Sequence, residues 1–127
     1  MAERPFVIRA EGSDRFEHTE GGSFHLVQQA ELGLGEISIG VSDNPPDMDG
    51  ATHRHSCGEV FVVYEGRGIY TVGDTELLAE PGDMVVIPAN TWHSFRPAGD
   101  TRLRHVAVYD SGQIDLELST GRVISDL

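Results

Sequence analysis

Residues 52–68 read THRHSCGEVFVVYEGRG. His53 and His55 are two positions apart. On a strand, side chains alternate between faces, so these two imidazoles point the same way, roughly 6.5–7 Å apart along the chain. Ser56-Cys57-Gly58 reads as a turn, with Gly58 supplying backbone freedom. Glu59 then opens a run, Glu59–Tyr64, built from the Val, Phe and Tyr residues that suit a pleated surface. The pattern is strand, turn, strand, and the second strand begins on a carboxylate.

The same grammar extends in both directions. Short runs rich in Val, Ile, Phe and Tyr fall at Phe24–Gln28, Glu36–Val41, Val60–Tyr64, Ile69–Val72, Met84–Pro88 and Leu103–Tyr109. Turn signals separate them at 66–68, 73–74, 81–82 and 97–100. Many short strands with turn chemistry between them predict an all-β sandwich or barrel. No window keeps a 3.6-residue apolar period over three turns, which predicts little helix. Outside a core of about 24–109, residues 1–20 hold a predicted strand at Pro5–Arg9. Residues 112–127 hold Ile114–Leu118 and Val123–Ile124, which can extend a sheet or pair with another subunit. No repeat or linker divides the chain, so 1–127 reads as a single domain.

Composition narrows the partners. Nine basic and 21 acidic side chains give a formal charge of −12, which repels phosphate backbones and anionic headgroups, so neither nucleic acid nor a membrane surface is expected as a partner. Cys57 is the single cysteine, so no internal disulfide can form. The N-terminus lacks the apolar run of a secretory signal, and no stretch approaches the roughly 20 apolar residues of a membrane helix. A reducing cytoplasm is the expected location.

The chemistry sits in two places. His53, His55 and Glu59 lie in the stretch quoted above, and His93 lies in PGDMVVIPANTWHSF, residues 81–95. A His-X-His pair alone also suits a half-exposed strand that binds nothing. Three imidazoles and one carboxylate together form a borderline donor set suited to iron, manganese, nickel, copper, cobalt or zinc. Neutral imidazole is the metal-binding form, so such a site responds to pH.

These residues resemble the two motifs of the cupin superfamily. His53, His55, Glu59 and Gly66 fall into register with the first motif, and Gly82, Pro88 and His93 with the second. Gly66 and Gly82 are separated by 15 residues, the short spacing of small prokaryotic-type members, and IYTVGDTELLAEPGD looks like the linking hairpin. Three positions depart from the pattern: Asp47 stands for the opening glycine, with Gly50 nearby, Asn90 stands for the glycine after Pro88, and Pro97 for the closing asparagine. Asn enters the φ > 0 region more readily than most residues, so Asn90 can serve there. The resemblance implies a cupin-type double-stranded β-helix, a jelly-roll barrel, with one divalent metal on His53, His55, Glu59 and His93. Iron or manganese is the first expectation.

For function, the resemblance implies a small-molecule substrate or ligand and a metal-dependent, dioxygenase-like oxidoreductase. The alternatives are a non-redox isomerase, cyclase or lyase, and a non-catalytic binding or sensing module. A regulator is expected to carry a DNA-binding helix-turn-helix, which this sequence lacks. By strand parity, Phe61, Val63 and Phe95 share the faces of Glu59 and His93 and are the expected pocket wall, while Trp92 is expected to face away. Cys57 and Asp83 read as turn residues without a chemical role. Along Leu103–Tyr109, His105 and Tyr109 share one face and Val106 and Val108 the other, and parity leaves open which is interior. The resemblance also implies a homodimer, in which Pro5–Arg9 and Ile114–Leu118 join a neighbour's sheet and bury Phe6, Ile8, Ile114 and Leu116.

Overall fold

The computed structural model describes residues 5–9, 14–16 and 22–124. His18 lies outside them. The strands are β1 (Asp14–Phe16), β2 (Ser23–Val27), β3 (Ser38–Asn44), β4 (His53–Arg54), β5 (Glu59–Glu65), β6 (Gly68–Val72), β7 (Thr75–Ala79), β8 (Met84–Ile87), β9 (His93–Pro97), β10 (Leu103–Tyr109), β11 (Leu116–Leu118) and β12 (Val123–Ile124). A single helical turn, α1 (Gln29–Leu32), follows β2 and ends on Gly33 at φ 71°. The strands form two six-stranded antiparallel sheets, ordered β1-β2-β3-β10-β5-β8 and β12-β11-β4-β9-β6-β7. Facing each other, they make the expected jelly-roll barrel.

Strict alternation builds the interior. In β3 and β10 every second residue is buried, and β5 follows the same rhythm until its exposed end. The inward set, including Leu26, Phe61, Val63, Tyr70, Phe95 and Leu103, forms one continuous core. On β10 the open choice is now decided: His105 and Tyr109 face inward, and Val106 and Val108 lie half-buried outside.

Two of the three departures from the motif, Asp47 and Asn90, lie in turns. Asn90 adopts φ 61°, and its N–H donates to the His55 carbonyl at 2.8 Å, so the substituted position still ties this turn to the site. Gly66 adopts φ 75°, and a Cβ there would overlap the Arg102 carbonyl oxygen. Gly50, rather than Asp47, makes the close approach in the preceding loop, its N–H donating to the Phe95 carbonyl at 3.1 Å.

The C-terminal segment corrects one expectation. Ile114–Leu118 does not reach for a neighbour. Ile114 is buried in this chain's own core, and β11 pairs with β4 and β12. An apolar segment beside an available strand lowers its free energy by closing on its own barrel, with no cost of association. Pro5–Arg9 also departs from expectation, because it forms no strand and Phe6 and Val7 stay exposed.

Candidate metal centre

Pairing of β4 with β9 places His53 directly opposite His93, with ring centroids 4.4 Å apart. His55, just beyond β4, brings its ring to 4.9 Å from His53 and 5.4 Å from His93. One ligand-capable nitrogen from each of the three lies within 4.8 Å of the others. Glu59 comes from the facing sheet, at the start of β5 beside Tyr109 of β10. Its Oε1 is 3.4 Å from His55 Nε2 and 3.1 Å from His93 Nε2. The cluster therefore bridges the two sheets.

The tautomers of the three imidazoles follow from their partners. Nδ1 of His53, His55 and His93 lies 2.8, 2.7 and 2.8 Å from the carbonyl oxygens of Ala51, Asp115 and Thr91. A carbonyl only accepts, so each Nδ1 carries the proton and each neutral ring keeps its Nε2 lone pair. Backbone carbonyls fix ring orientation in this way around metal ions. Meanwhile His55 Nε2, His93 Nε2 and Glu59 Oε1 are buried without a completed hydrogen bond among the described residues. Buried polar atoms are normally satisfied. Three orphans aimed at one point, all of them donors to a metal, fit a bound cation better than a self-sufficient polar core.

Electrostatics agrees with a negative pocket for a cation. Burial would raise Glu59, but the contacts and charges of His55 and His93 outweigh it and hold the carboxyl at about 2. Burial lowers His53 to about 4, helped by His93. For His55, burial is outweighed by Glu59 and the Asp115 backbone, and its pKa lies above the ordinary value. Tyr109 is pushed well up by burial and by the Glu59 carboxylate, so it remains a neutral phenol packed on His55.

The cluster opens onto a cavity of ≈ 340 Å³. Phe61 and Phe95 line it, as parity suggested, whereas Val63 packs in the core and is not on its wall. Trp92 lies outside the lining, beneath the Arg54 guanidinium at 4.3 Å. Several wall residues carried no sequence signal for this role: Met48, Ile114, Leu116 and Leu118 come from loops and from the segment assigned to a dimer contact. The carbonyls of Ala51, Thr91 and Asp115 are invisible to sequence because every residue has one. His105 and Tyr109 shared one face of their strand in the sequence, and both line the cavity.

Residues 41–109 match the Cupin domain family. Among curated proteins, the chain is 28% identical over 82 residues to acireductone dioxygenase of Exiguobacterium sibiricum, covering 56% of this chain and 46% of that protein. It is 27% identical over 81 residues to the HTH-type transcriptional activator RhaR of Escherichia coli, covering 64% of this chain and 28% of that protein. It thus spans less than half the length of either relative. Among solved structures, oxalate decarboxylase of Bacillus subtilis superposes with a TM-score of 0.82 at 18% identity, over 93% of this chain and 32% of that one. The 7S globulin of Momordica charantia does so with a TM-score of 0.79 at 18% identity, over 91% and 38%. At that identity the likeness concerns the fold.

Proposed function

The chain belongs to the cupin family, and on that premise we propose that it is a metal-dependent oxidoreductase of dioxygenase type acting on a small organic molecule. His53, His55, His93 and Glu59 hold one divalent metal, iron or manganese in first place. The observation that carries this reading is the convergence of orphaned His55 Nε2, His93 Nε2 and Glu59 Oε1 beside a largely apolar cavity that His53, His55 and Glu59 line. Similarity to acireductone dioxygenase supports oxygen chemistry in particular. When bound, the metal supplies Lewis acidity and a template for chelating oxygens. The protein residues do the rest. The three carbonyls hold the imidazoles in their ligating tautomer, Glu59 balances charge, and Phe61 and Phe95 exclude water beside the site. No helix among the described residues is long and apolar enough to cross a membrane. A reducing cytoplasm suits the lone Cys57, whose thiol burial and the nearby Asp110 and Asp115 push up to about 11.

Protein purified from its own source without added metal is expected to contain iron or manganese, and to consume oxygen when supplied with catechols or enediols. Zinc content without oxygen uptake would overturn the oxidoreductase reading in favour of an isomerase, cyclase or lyase. Ligand binding without turnover would favour a sensing module, the reading that similarity to the activator RhaR supports.

Metal affinity is expected to fall on acidification. Glu59 and the Asp115 backbone raise the His55 pKa, so protons compete with a metal more strongly there than at His53, which burial lowers to about 4. Log affinity therefore falls as the pH drops through the histidine range. Calorimetry in buffers of different ionisation enthalpy counts the released proton. A titration flat from about pH 7.5 to 5 would exclude histidine ligation.

The homodimer is retained on a different surface from the one expected. Among the described residues β8 ends its sheet, and its Met84 and Val86 are 67% and 66% exposed beside half-buried Val60 and Val62. Exposed apolar edges invite pairing, and Phe6 and Val7 in this chain's own N-terminal segment are apolar and unburied. A two-fold pair covers both at once. Light scattering during size exclusion is expected to give twice the chain mass, and Val86→Lys is expected to return it to 13.8 kDa. A wild-type monomer would overturn the pairing.

A further inference from the structure

The cavity wall turns apolar immediately beside the metal cluster. Pairing of β11 with β4 sets Leu118 opposite His53. Directly opposed residues put their Cβ atoms about 4.5–5.5 Å apart on one face of a sheet, so Leu118 stands next to a metal-facing imidazole. Leu116, two residues back, shares that face, and both side chains line the cavity. Leu26, Met48, Phe61 and Phe95 extend the wall from β2, the loop before β4, β5 and β9, and all four are buried. Hydrocarbon begins where the donor set ends.

The other polar groups on this wall are engaged within the protein. Ser42 Oγ donates to Asn44 Oδ1 at 3.0 Å, and Asn44 Nδ2 donates to the Leu103 carbonyl at 3.0 Å. The Tyr70 hydroxyl lies 2.7 Å from His105 Nδ1, and His105 has a further interaction besides. Tyr109 belongs to the metal end, opposite Glu59 in the β5–β10 register. Among the described residues, the buried polar atoms on the wall that lack a hydrogen bond are those of His55 and Glu59. Cations do not reach the wall either. The nine basic side chains are all arginine, and none of the described ones lines the cavity. Arg54, next to His53, points to the opposite face, where Glu117 and Trp92 hold it. Arg96 pairs with Glu76, and Arg102 and Arg104 pair with Asp43. An anionic group carried past the metal would lose its water and gain no counter-charge.

We propose that the cavity selects its substrate by an uncharged hydrocarbon tail, alkyl or aryl, attached directly to the chelating head, and rejects molecules with a second anionic group. The tail packs on Leu116 and Leu118 beside the imidazoles and on the Phe61–Phe95 ring pair, whose centroids are 5.5 Å apart. Each methylene that leaves water for this wall adds affinity. At ≈ 340 Å³ the cavity is near the small end of ligand pockets, so the tail is a short chain or a single ring. The selection rests on the metal reading above, because the head is anchored there. The substrate class is a small molecule with paired oxygens at one end and hydrocarbon at the other. Dicarboxylates and phosphate esters are excluded.

The test keeps one chelating head and varies the tail. Calorimetry on zinc-loaded protein would compare acetohydroxamate, butyrohydroxamate and hexanohydroxamate. It would then set 5-methylhexanohydroxamate against glutaric monohydroxamate, whose carboxylate has the shape of the branched methyl end. Affinity is expected to rise about 10-fold for each two methylenes added. The carboxylate compound is expected to bind at least about 100-fold more weakly than its hydrocarbon twin. Leu118→Ala, at a half-buried position in a three-residue strand, is expected to fold, keep its zinc and lose about 5-fold in affinity for 5-methylhexanohydroxamate. Affinity that is flat with tail length, or equal for the charged and uncharged twins, would overturn the apolar selection alone. Failure of the chain to take up zinc, or of every hydroxamate to bind, would overturn the metal reading and the selection with it.

Discussion

Replacing His53 and His55 together by alanine is expected to reduce metal occupancy to background in a protein that still folds. Losing a group that merely orients a ligand costs about 10–100-fold in affinity. Two direct donors are worth more than that upper figure, so a loss beyond about 100-fold is expected. The remaining pair, His93 and Glu59, sit on opposite sheets and cannot close a coordination shell by themselves. His93→Ala is expected to approach the same result, since His93 is the partner of His53 across β4 and β9. Glu59→Gln should lose less, because the amide oxygen still coordinates weakly while the charge is gone. Elemental analysis after gel filtration, with circular dichroism to confirm the fold, reads the outcome. Full metal content in the folded double variant would sink the assignment of the site.

Phe61→Ala is expected to cost about 3–5 kcal/mol of stability, the range for truncating a buried aromatic. Phe61 is 3% exposed and sits at the junction of the core and the cavity, with the rings of Tyr70, Phe95 and His105 at 5.2, 5.5 and 4.5 Å. Those neighbours are anchored on β6, β9 and β10 by ladder pairing, so they cannot collapse into the space. Against a total stability of about 5–15 kcal/mol, the loss would be plain as a lower urea midpoint at unchanged slope. Phe61→Leu, which keeps most of the volume, should cost clearly less. A change below about 1 kcal/mol for Phe61→Ala would mean that the ring packs far less tightly than its burial indicates.

Much of the site was legible in order along the chain. The His-X-His spacing put two imidazoles on one side of a strand, because a strand repeats every two residues whatever surrounds it. Short runs of Val, Ile, Phe and Tyr separated by turn residues announced an all-β sandwich or barrel, and the motif spacing pointed to Glu59 and His93 as companions of the pair. Asn90 could be read as a tolerated φ > 0 position because that preference belongs to the residue itself.

What the tertiary structure alone decided concerns pairings between distant parts of the chain. Parity showed that His105 and Tyr109 share a face, but only the facing sheet made that face the interior. The same parity put Val63 on the pocket wall, yet Val63 packs in the core and does not line the cavity. Ile114–Leu118 looked like a strand in need of a partner, and its sequence could not say whose. Pairing with β4 placed the Asp115 carbonyl on His55 Nδ1 and Leu116 and Leu118 on the cavity wall. The Tyr70–His105 contact joins residues 35 positions apart, on strands of opposite sheets. Local periodicity fixes which way a side chain points relative to its own strand. Only the closed barrel determines what it points at.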